Sequence, residues 1–556
     1  MTNTYLDLTS LGQSGYKISF PKTNIIIDPY MSNSVELEVC SDFKRLIPIN
    51  HNINLIEDVD WILITHDHLD HCDPKTLIRI CNMNSKVKFI GPGPVVKILK
   101  NIGIQSSRII LADQKNFMNL SIVDNLKLHC IPAAHPNIEL DNNNDSKCLG
   151  FLFEFGNYKI YHAGDTSVDE LILKKLQKFG TIDLAFIPIN EKNYFKHEKG
   201  IIGNMSLREA FSFAEKIKIK KFIPIHWDMF DNNSVLEEEI EILYKKLNCS
   251  FELFIKPKRI YLENIDFSII IRTLNEEKYL NKLLNSIKNQ SIENYNYEII
   301  IVDSGSVDKT LEIAKNHNCV ITNIKKNDFT FGRSLNIGCK TSQGKILIFI
   351  SGHCIPLDKN WLINLSKPIM NKVANICYGK QVEGDETFLS ERNIFKKFYK
   401  DRSKLQKNNC FFNNANSAIL KQLWEKYKFN EFLTGLEDID FGKRAIEDEE
   451  VIYYSSDAKI QHNHDENWDQ IQRRFEREAV ALKNIMFGIK LSFFRSILKY
   501  GKYVLYDIFS IYSDKKIKRN SLLDIFKYRF YQIRGTYLGI VNTEKKQSQQ
   551  KNKFFY

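Results

Sequence analysis

In the first half of the chain, short apolar segments end in polar loops. Residues 59–65 form a near-continuous apolar run, which predicts a buried strand. Residues 151–155 and 158–161 flank the turn-forming pair Gly156-Asn157 and predict a β-hairpin. The polar run 141–145 predicts an exposed loop. This half is therefore predicted to be built of strands whose ends carry the functional loops.

In the second half, predicted strands alternate with predicted helices. Residues 267–272 are β-branched and apolar, and residues 277–290 carry apolar side chains with the spacing of one helix face. Another strand is predicted over 298–302 and another helix from about Val307. Strand, helix, strand, helix is typical of a parallel sheet wound with helices, so this half is predicted to be α/β.

Length and charge predict two domains and a tail. A chain of 556 residues is too long for one ordinary core, and the pattern restarts near residue 262. We predict domains over 1–262 and 266–485 and a basic amphipathic tail over 486–556. The tail holds 15 Lys and Arg against four Asp and Glu, an excess that equals the whole net charge of +11. The rest of the chain is therefore neutral overall.

Cysteine usage and the first residues bear on location. The 11 cysteines are an odd number, scattered singly without a CxxC pair, which indicates free thiols in a reducing compartment. Residues 1–5 lack the features of a signal peptide. We therefore expect a cytoplasmic protein.

A compact histidine motif predicts metal binding. His66, His68, Asp70 and His71 fall within six residues, directly after a predicted strand. In an extended loop, residues i and i+2 project the same way, so His66 and His68 can hold one metal while the other two turn toward a second. Each of three further candidates ends an apolar stretch, and all three stand downstream: His135, Asp165 and His226. Taken alone, each histidine would more often be structural. Together they predict a two-metal site.

These residues resemble the metallo-β-lactamase superfamily, an αββα sandwich, and the branch that contains ascorbate-6-phosphate lactonase. Residues 187–190 and 201–205 look like the substrate side of that branch, whereas Glu191-Lys192-Asn193 departs from it. The resemblance implies hydrolysis by two Zn or Mn ions, with Asp70 both ligand and catalytic residue. It assigns His66, His68 and His135 to one ion, Asp70, His71 and His226 to the other, and Asp165 to a bridge. Lactones, amides, thioesters and phosphodiesters all remain open as substrates.

The second half resembles family 2 glycosyltransferases of the GT-A fold, with a Rossmann-like sheet, over 266–485. Four segments carry the resemblance: residues 268–277, 300–306, 331–338 and 434–440. Loops at the carboxyl edge of a parallel sheet bind nucleotides in such folds. The resemblance implies a nucleotide-sugar donor held by Thr273, Asn275, Glu276, Asp303, Arg333 and His353. Asp303 taken alone would more often be a strand-end cap.

The same resemblance assigns catalysis to Glu437 and Asp438, with Asp438 as general base in an inverting displacement. Where a metal-binding Asp-x-Asp is expected, Ser351-Gly352-His353-Cys354 stands. His353 and His462 or His464 can hold Mn or Mg there, or His353 only hydrogen-bonds the diphosphate. Residues 470–475 stand where processive synthases carry a Gln-x-x-Arg-Trp motif, but no tryptophan follows the arginine, which favours single-sugar addition over polymerisation.

Aromatic residues interleaved with lysines in the tail favour an interfacial helix on an anionic membrane, at the inner face of the cell membrane. A solvated helical face is the alternative, and nucleic acid is not expected as a partner. The whole sequence predicts a bifunctional enzyme of surface-polysaccharide or glycolipid assembly with a saccharide or lipid-linked acceptor. In the alternative, one half only binds metal or nucleotide.

Overall fold

The structure is a computed structural model that describes residues 4–49, 55–121, 123–292, 294–384, 386–486, 491–513 and 522–541. The chain forms two compact units that divide between Leu262 and Glu263. Each unit has its own sheets and its own core.

The first unit is rich in short strands. Its strands are β1 (Tyr5–Gly12), β2 (Gly15–Ser19), β3 (Asn24–Ile27), β4 (Trp61–Leu63), β5 (Lys88–Gly91), β6 (Ile109–Leu111), β7 (Met118–Ser121), β8 (Leu126–Pro132), β9 (Leu149–Phe155), β10 (Tyr158–His162), β11 (Leu184–Pro188), β12 (Lys221–Ile225), β13 (Glu252–Leu253) and β14 (Arg259–Tyr261). Its helices are α1 (Ser34–Glu38), α2 (Pro74–Met83), α3 (Gly93–Asn101), α4 (Glu170–Gln177), α5 (Tyr194–Glu198), α6 (Leu207–Lys216) and α7 (Glu237–Leu247).

Within the described residues, these strands form two seven-stranded sheets. Their orders are β14-β1-β2-β3-β4-β5-β6 and β13-β12-β11-β10-β9-β8-β7. Strands β3 to β6 are parallel to one another, and so are β10 to β13. The predicted hairpin is β9 and β10, which pair antiparallel around Gly156 at a φ of +57°.

Apolar side chains from both sheets interlock between them, among them Ile18, Phe153 and Phe186. Helices cover the outer faces: α2 and α3 pack on the first sheet, and α4, α6 and α7 pack on the second. The layers are therefore helix, sheet, sheet, helix, which confirms the predicted αββα sandwich.

The second unit alternates strands and helices, as predicted. Its strands are β15 (Phe267–Thr273), β16 (Tyr297–Asp303), β17 (Val320–Asn323), β18 (Ile346–Ser351), β19 (Cys354–Pro356), β20 (Ile376–Glu383), β21 (Lys404–Gln406), β22 (Asn416–Leu420) and β23 (Ile452–His462). Its helices are α8 (Glu277–Lys288), α9 (Thr310–Asn316), α10 (Phe331–Thr341), α11 (Trp361–Met370), α12 (Leu389–Phe398), α13 (Lys421–Tyr427), α14 (Glu437–Glu447), α15 (Trp468–Ile485), α16 (Phe493–Ser513) and α17 (Leu522–Val541).

Within the described residues, the sheet of this unit follows the order β17-β16-β15-β18-β22-β20-β23-β19, with β21 beside β23. Strands β17, β16, β15 and β18 are parallel, and β22 runs against them. Helices α8 and α11 cover one face, while α10, α13 and α14 cover the other. This arrangement confirms the predicted α/β, GT-A-like fold.

The tail predicted over 486–556 contributes α16 and α17 to the second unit. Helix α17 packs along α15, and both tail helices contact α12. Asp507 and Arg529 form a fully buried ion pair whose carboxylate also accepts hydrogen bonds from Ser390 and Asn393 of α12. The tail segments 487–490, 514–521 and 542–556 lie outside the described residues. No helix in the described part of the chain combines the length and apolarity needed to cross a membrane.

Candidate active sites

The carboxyl ends of parallel strands gather the predicted metal ligands of the first unit. His66 to His71 follow β4, Asp165 follows β10 and His226 follows β12. His135 arrives from the end of β8. Because parallel strands of one sheet end at the same edge, Asp165 and His226 converge there, and His66 to His71 join them from the other sheet.

All seven predicted ligands come together. Among the described residues, three overlapping groups have ligand atoms within 4.8 Å of one another: His66, His68 and His135; His66, His71 and Asp165; and Asp70, His71 and His226. Asp165 also lies 3.1 Å from Nε2 of His226 and 3.7 Å from Nε2 of His135. The donor set is thus five imidazoles and two carboxylates, with Asp165 close to His71, His135 and His226.

The inner nitrogens fit metal ions. Within the described residues, Nε2 of His66 and Nε2 of His71 are buried and have no hydrogen-bond partner. A buried polar atom without a partner costs free energy, so native proteins usually satisfy it. A bound cation would satisfy both nitrogens, and nitrogen and carboxylate donors in this ratio suit zinc.

The outer nitrogens are oriented by Asp28, which sequence reasoning missed. Asp28 follows β3, the parallel neighbour of β4, and accepts hydrogen bonds from the backbone N–H and the hydroxyl of Thr65. Its Oδ2 also lies 2.8 Å from Nδ1 of His71. The Thr65 hydroxyl in turn lies 3.0 Å from Nδ1 of His66. One carboxylate therefore holds both rings with Nε2 toward the centre.

Two amide side chains complete this support and were also missed. Asn204 Oδ1 lies 3.0 Å from Nδ1 of His135, and its amide donates to Asn190 after β11. The amide of Gln13 donates to Asp70 at 2.6 Å and lies 3.0 Å from Nε2 of His226. The only sequence signal for Asp28 was its place directly after an apolar strand.

The electrostatics separate the histidines. Burial lowers the pKa of His66 well below its ordinary value, and burial lowers that of His135 to about 4, so both are neutral at pH 7. For His71 and His226, burial opposes the charged form, but Asp165 and Asp70 raise the pKa values to about 9 and about 10. The carboxylates thus create a field that favours positive charge at this centre.

In the second unit, hydrogen bonds join the loops after β15 and β16. Thr273 and Asp303 are register partners, and the Thr273 hydroxyl donates to Asp303 at 2.9 Å. The carboxylate of Asp303 also accepts from Ser306 and from the backbone N–H of Gly305. Asn275, at a φ of +57°, accepts from the backbone N–H of Val307. Asp303 therefore anchors its own loop, as a strand-end cap does.

The predicted sugar-side residues occupy two places. Arg333, on the first turn of α10, forms an ion pair with Glu431 at 2.8 Å. Glu276 faces the loop after β18, where its carboxylate lies 2.9 Å from Nδ1 of His353. A side chain at Gly352 would collide with Glu276, so glycine is needed there for the two loops to approach. His353 is grouped with His462 and His464.

The predicted base lies at the first turn of α14. Asp438 is buried and accepts hydrogen bonds from the backbone N–H groups of Asn414 and Ile439. Burial, and then the neighbouring Glu437, raise the pKa of Asp438 to about 7. Arg272, missed as a functional residue, forms an ion pair with Glu437 and lies over the ring of Phe331. A carboxyl group with this pKa can exchange protons near neutral pH.

Comparison with known families decides the assignment of both units. The sequence model described as "Beta-lactamase superfamily domain" matches residues 23–227, and "Glycosyl transferase family 2" matches residues 268–427. The chain joins these two domains. Both resemblances predicted from the motifs are confirmed, and both families indicate enzymatic activity.

Curated relatives match less than half of the chain. The N-acyl-phosphatidylethanolamine-hydrolyzing phospholipase D 1 of Caenorhabditis elegans is 27% identical over 230 residues, 40% of this chain and 64% of the relative. The probable L-ascorbate-6-phosphate lactonase UlaG of Salmonella heidelberg is 25% identical over 246 residues, 41% of this chain and 68% of the relative. The chain thus spans about two thirds of the length of each of these relatives.

Each of the similar solved structures matches about half of the chain. Igni18, a metallo hydrolase from Ignicoccus hospitalis, is 18% identical, covers 47% of this chain and 99% of its own, and has a TM-score of 0.34. S. aureus TarS 1-349 in complex with UDP-GlcNAc is 18% identical, covers 48% of this chain and 90% of its own, and has a TM-score of 0.32.

Changing Asp28 to Asn tests the support of the histidine centre. Since an amide cannot accept from Thr65 and His71 as the carboxylate does, we expect zinc affinity to fall by about 10- to 100-fold. Metal per chain, measured by elemental analysis, and a chelator competition titration give the result. Asp60→Asn is the matched control, because Asp60 caps the neighbouring strand while exposed to solvent. Equal zinc affinity in both variants would contradict the role of Asp28.

Proposed function

We propose that the chain is a bifunctional enzyme of surface-polysaccharide or glycolipid biosynthesis. One unit would be a nucleotide-sugar-dependent, inverting, non-processive glycosyltransferase. The other would be a two-metal hydrolase acting on a phosphorylated sugar, a lactone or a phosphodiester. The observation that carries this proposal is that each unit has its own complete set of converging side chains, one of histidines and carboxylates and one around Asp438.

In the hydrolase unit, His66, His68 and His135 would hold one ion and Asp70, His71 and His226 the other, with Asp165 shared. Two Zn or Mn ions bound there supply an activated water and polarise the scissile carbonyl or phosphoryl group. Asp28 and Asn204 keep the rings oriented, and Gln13 holds Asp70 in place. These supporting residues position the ligands of the reactive centre, so no side-chain rearrangement is needed.

The relatives support a phosphate-bearing substrate for this unit. One is named for hydrolysis of a phosphatidylethanolamine and the other for a lactonase of ascorbate-6-phosphate. After β11 and Glu191-Lys192-Asn193, Lys196 of α5 donates to the carbonyl of Asn190 at 2.6 Å, and Asn204 links Asn190 to the ligand His135. A cation beside a two-metal centre suits an anionic substrate.

Paired variants test whether both units turn over. In His66→Ala/His68→Ala, we expect loss of metal and of hydrolysis of a phosphodiester or phosphorylated lactone, while sugar transfer persists, because the two sites share no residue. Asp438→Asn should give the opposite pattern. Metal analysis and separate product assays measure the outcome. Metal binding by the parent without hydrolysis of any substrate class would favour the alternative that this unit is a binding module.

In the transferase unit, we propose that Asp438 removes the proton from the acceptor hydroxyl as that oxygen attacks the sugar carbon. Glu437 supports it by raising its pKa, and Arg272 stands beside the pair. Thr273, Asn275, Glu276, Asp303, Arg333 and His353 would form the donor site. Asp303 would act there by fixing the loop, since its carboxylate is already engaged. The acceptor would be a saccharide or a lipid-linked saccharide.

The transfer rate should rise with pH through about 7. The base acts only when ionised, so protonation below that pKa removes it. Asp438→Asn should lower the rate by about 10²- to 10⁴-fold and remove this rise. Initial rates of nucleotide release between pH 5.5 and 8.5 measure both effects. Asp440→Asn, on the same helix but paired with Arg444, is the control and should keep the parent profile. An unchanged profile in Asp438→Asn would refute the assignment.

We also propose peripheral attachment to an anionic membrane through the tail helices, at the cytoplasmic face. Along α16, the exposed side chains include an apolar row whose members are spaced by four or seven residues. That row is Phe494, Leu498, Leu505 and Phe509. On α17, Leu523, Phe526 and Phe530 are exposed as well. The exposed cations of these helices are Arg495, Lys499, Lys502, Lys527 and Arg534. Apolar rows flanked by cations fit an anionic lipid surface, and nucleic acid is not expected.

Introducing acidic side chains into the exposed apolar row tests this attachment without removing a helix. We expect Leu505→Glu/Phe509→Glu to lower binding to vesicles of phosphatidylglycerol and phosphatidylcholine several-fold, since each carboxylate would meet an anionic surface. Flotation with and without phosphatidylglycerol measures it. Val373→Glu/Leu405→Glu, also exposed apolar residues of this unit, is the control. Equal flotation of both variants would exclude the row as the membrane contact, and a changed molecular mass would point to self-association.

A further inference from the structure

Three imidazoles meet at the edge of the second unit's sheet. His353 follows β18, His462 ends β23, and His464 comes two residues later. Strand β19 pairs with β23 so that Cys354 lies opposite His462, which fixes His353 beside the other two. The ring centres lie 4.0 Å apart for His462 and His464, 5.1 Å for His353 and His462, and 5.7 Å for His353 and His464.

Each ring has an oxygen acceptor at its Nδ1. Glu276 lies 2.9 Å from His353, Gln381 lies 2.7 Å from His462, and Glu391 lies 2.7 Å from His464. With these acceptors behind the rings, the tautomer that carries its proton on Nδ1 would leave the Nε2 lone pair of each ring for a cation. Metal-binding histidines in proteins are oriented in this way by an acceptor behind the ring.

The inner side of the cluster lacks a partner. Within the described residues, Nε2 of His462 is buried and makes no hydrogen bond, and one ligand atom from each ring lies within 4.8 Å of the others. A buried nitrogen without a hydrogen-bond partner, close to two other imidazoles, is suited to binding a cation.

A neighbouring carboxylate group competes less well for a cation. Glu391 and Glu466 both approach His464, but Arg474 forms ion pairs with Glu391 at 2.7 Å and with Glu466 at 2.9 Å. Arg474 also comes within 3.2 Å of Nδ1 of His464, farther than the Glu391 oxygen. The arginine thus engages both carboxylates in ion pairs, so the imidazole nitrogens are the more available donors.

We propose that His353, His462 and His464 form a three-nitrogen site for a borderline divalent cation of the Zn²⁺ or Co²⁺ type. Imidazole favours such ions, whereas carboxylates and water favour Mg²⁺ and Mn²⁺. The site replaces the oxygen donors of an Asp-x-Asp motif at the end of β18. Three protein donors leave a coordination position for a phosphate oxygen. This inference rests on the proposed transferase function, because the donor's diphosphate is the ligand that would take that position.

Metal content of the full-length chain tests the site. His353 is partly exposed, so His353→Ala should fold, and we expect it to lose one zinc per chain and at least tenfold in zinc affinity. Gln381→Leu, which removes the acceptor behind His462 and a hydrogen bond from Gln381 to Asn413, should weaken zinc binding by about 10- to 100-fold. His317→Ala is the matched control, because the His317 ring lies 2.9 Å from Asn281 on α8 and does not belong to the cluster of three histidines.

Elemental analysis after dialysis against zinc gives the stoichiometry, and Co²⁺ loading gives an absorption band for the nitrogen site. Equal zinc content and equal cobalt spectra in His353→Ala and His317→Ala would overturn the proposal. The transferase proposal is tested separately by Asp438→Asn. If sugar transfer depends on Asp438 while zinc content is the same in all variants, the metal-site proposal is wrong and the transferase assignment is supported. If zinc is lost as expected but no transfer is found, the metal site is supported and the transferase assignment is wrong.

Discussion

Parallel pairing of β-strands brings the carboxyl ends of neighbouring strands to one edge of a sheet, and both halves of this chain depend on that constraint. In the first unit it places Asp28 beside Thr65, because β3 and β4 run in parallel register. In the second unit it places Asp303 beside Thr273 and brings the loop after β18 next to Glu276. Without that edge, the reactive side chains would be scattered over the sequence with no reason to meet.

Both units also solve the same problem of ring orientation. An imidazole can rotate and can carry its proton on either nitrogen, so a binding centre made of histidines needs an acceptor behind each ring. Asp28 and Asn204 serve the first unit, and Glu276, Gln381 and Glu391 serve the second. The chain thus uses one physical device on two unrelated folds, once with carboxylates among the inner donors and once with nitrogens alone.

The sequence predicted the strands next to the motifs well, since apolar runs such as 59–65 and 267–272 deliver the chain directly into them. The observed strands, Trp61–Leu63 and Phe267–Thr273, differ by a residue or two at the ends. The supporting residues were out of reach for a physical reason. Gln13 and Gln381 act on partners 57 and 81 positions away, and such pairings come only from sheet order. Packing of α17 along α15 was equally invisible, because the tail's apolar residues are spread over more than one face of its helices.

Helix α12 lies between two polar networks, so hydrogen bonds on one helix connect the tail to the ring of His464. Ser390 and Asn393 hold the buried Asp507–Arg529 pair, while Glu391, between them, holds His464. Any displacement of α12 caused by binding at the tail would move Glu391, the acceptor behind the His464 ring. Linkage is reciprocal. If binding of a surface to the tail changes the cation affinity through α12 by some factor, the bound cation changes the affinity for that surface by the same factor. Lipid binding at the tail and binding of the nucleotide-sugar donor would then be coupled equilibria.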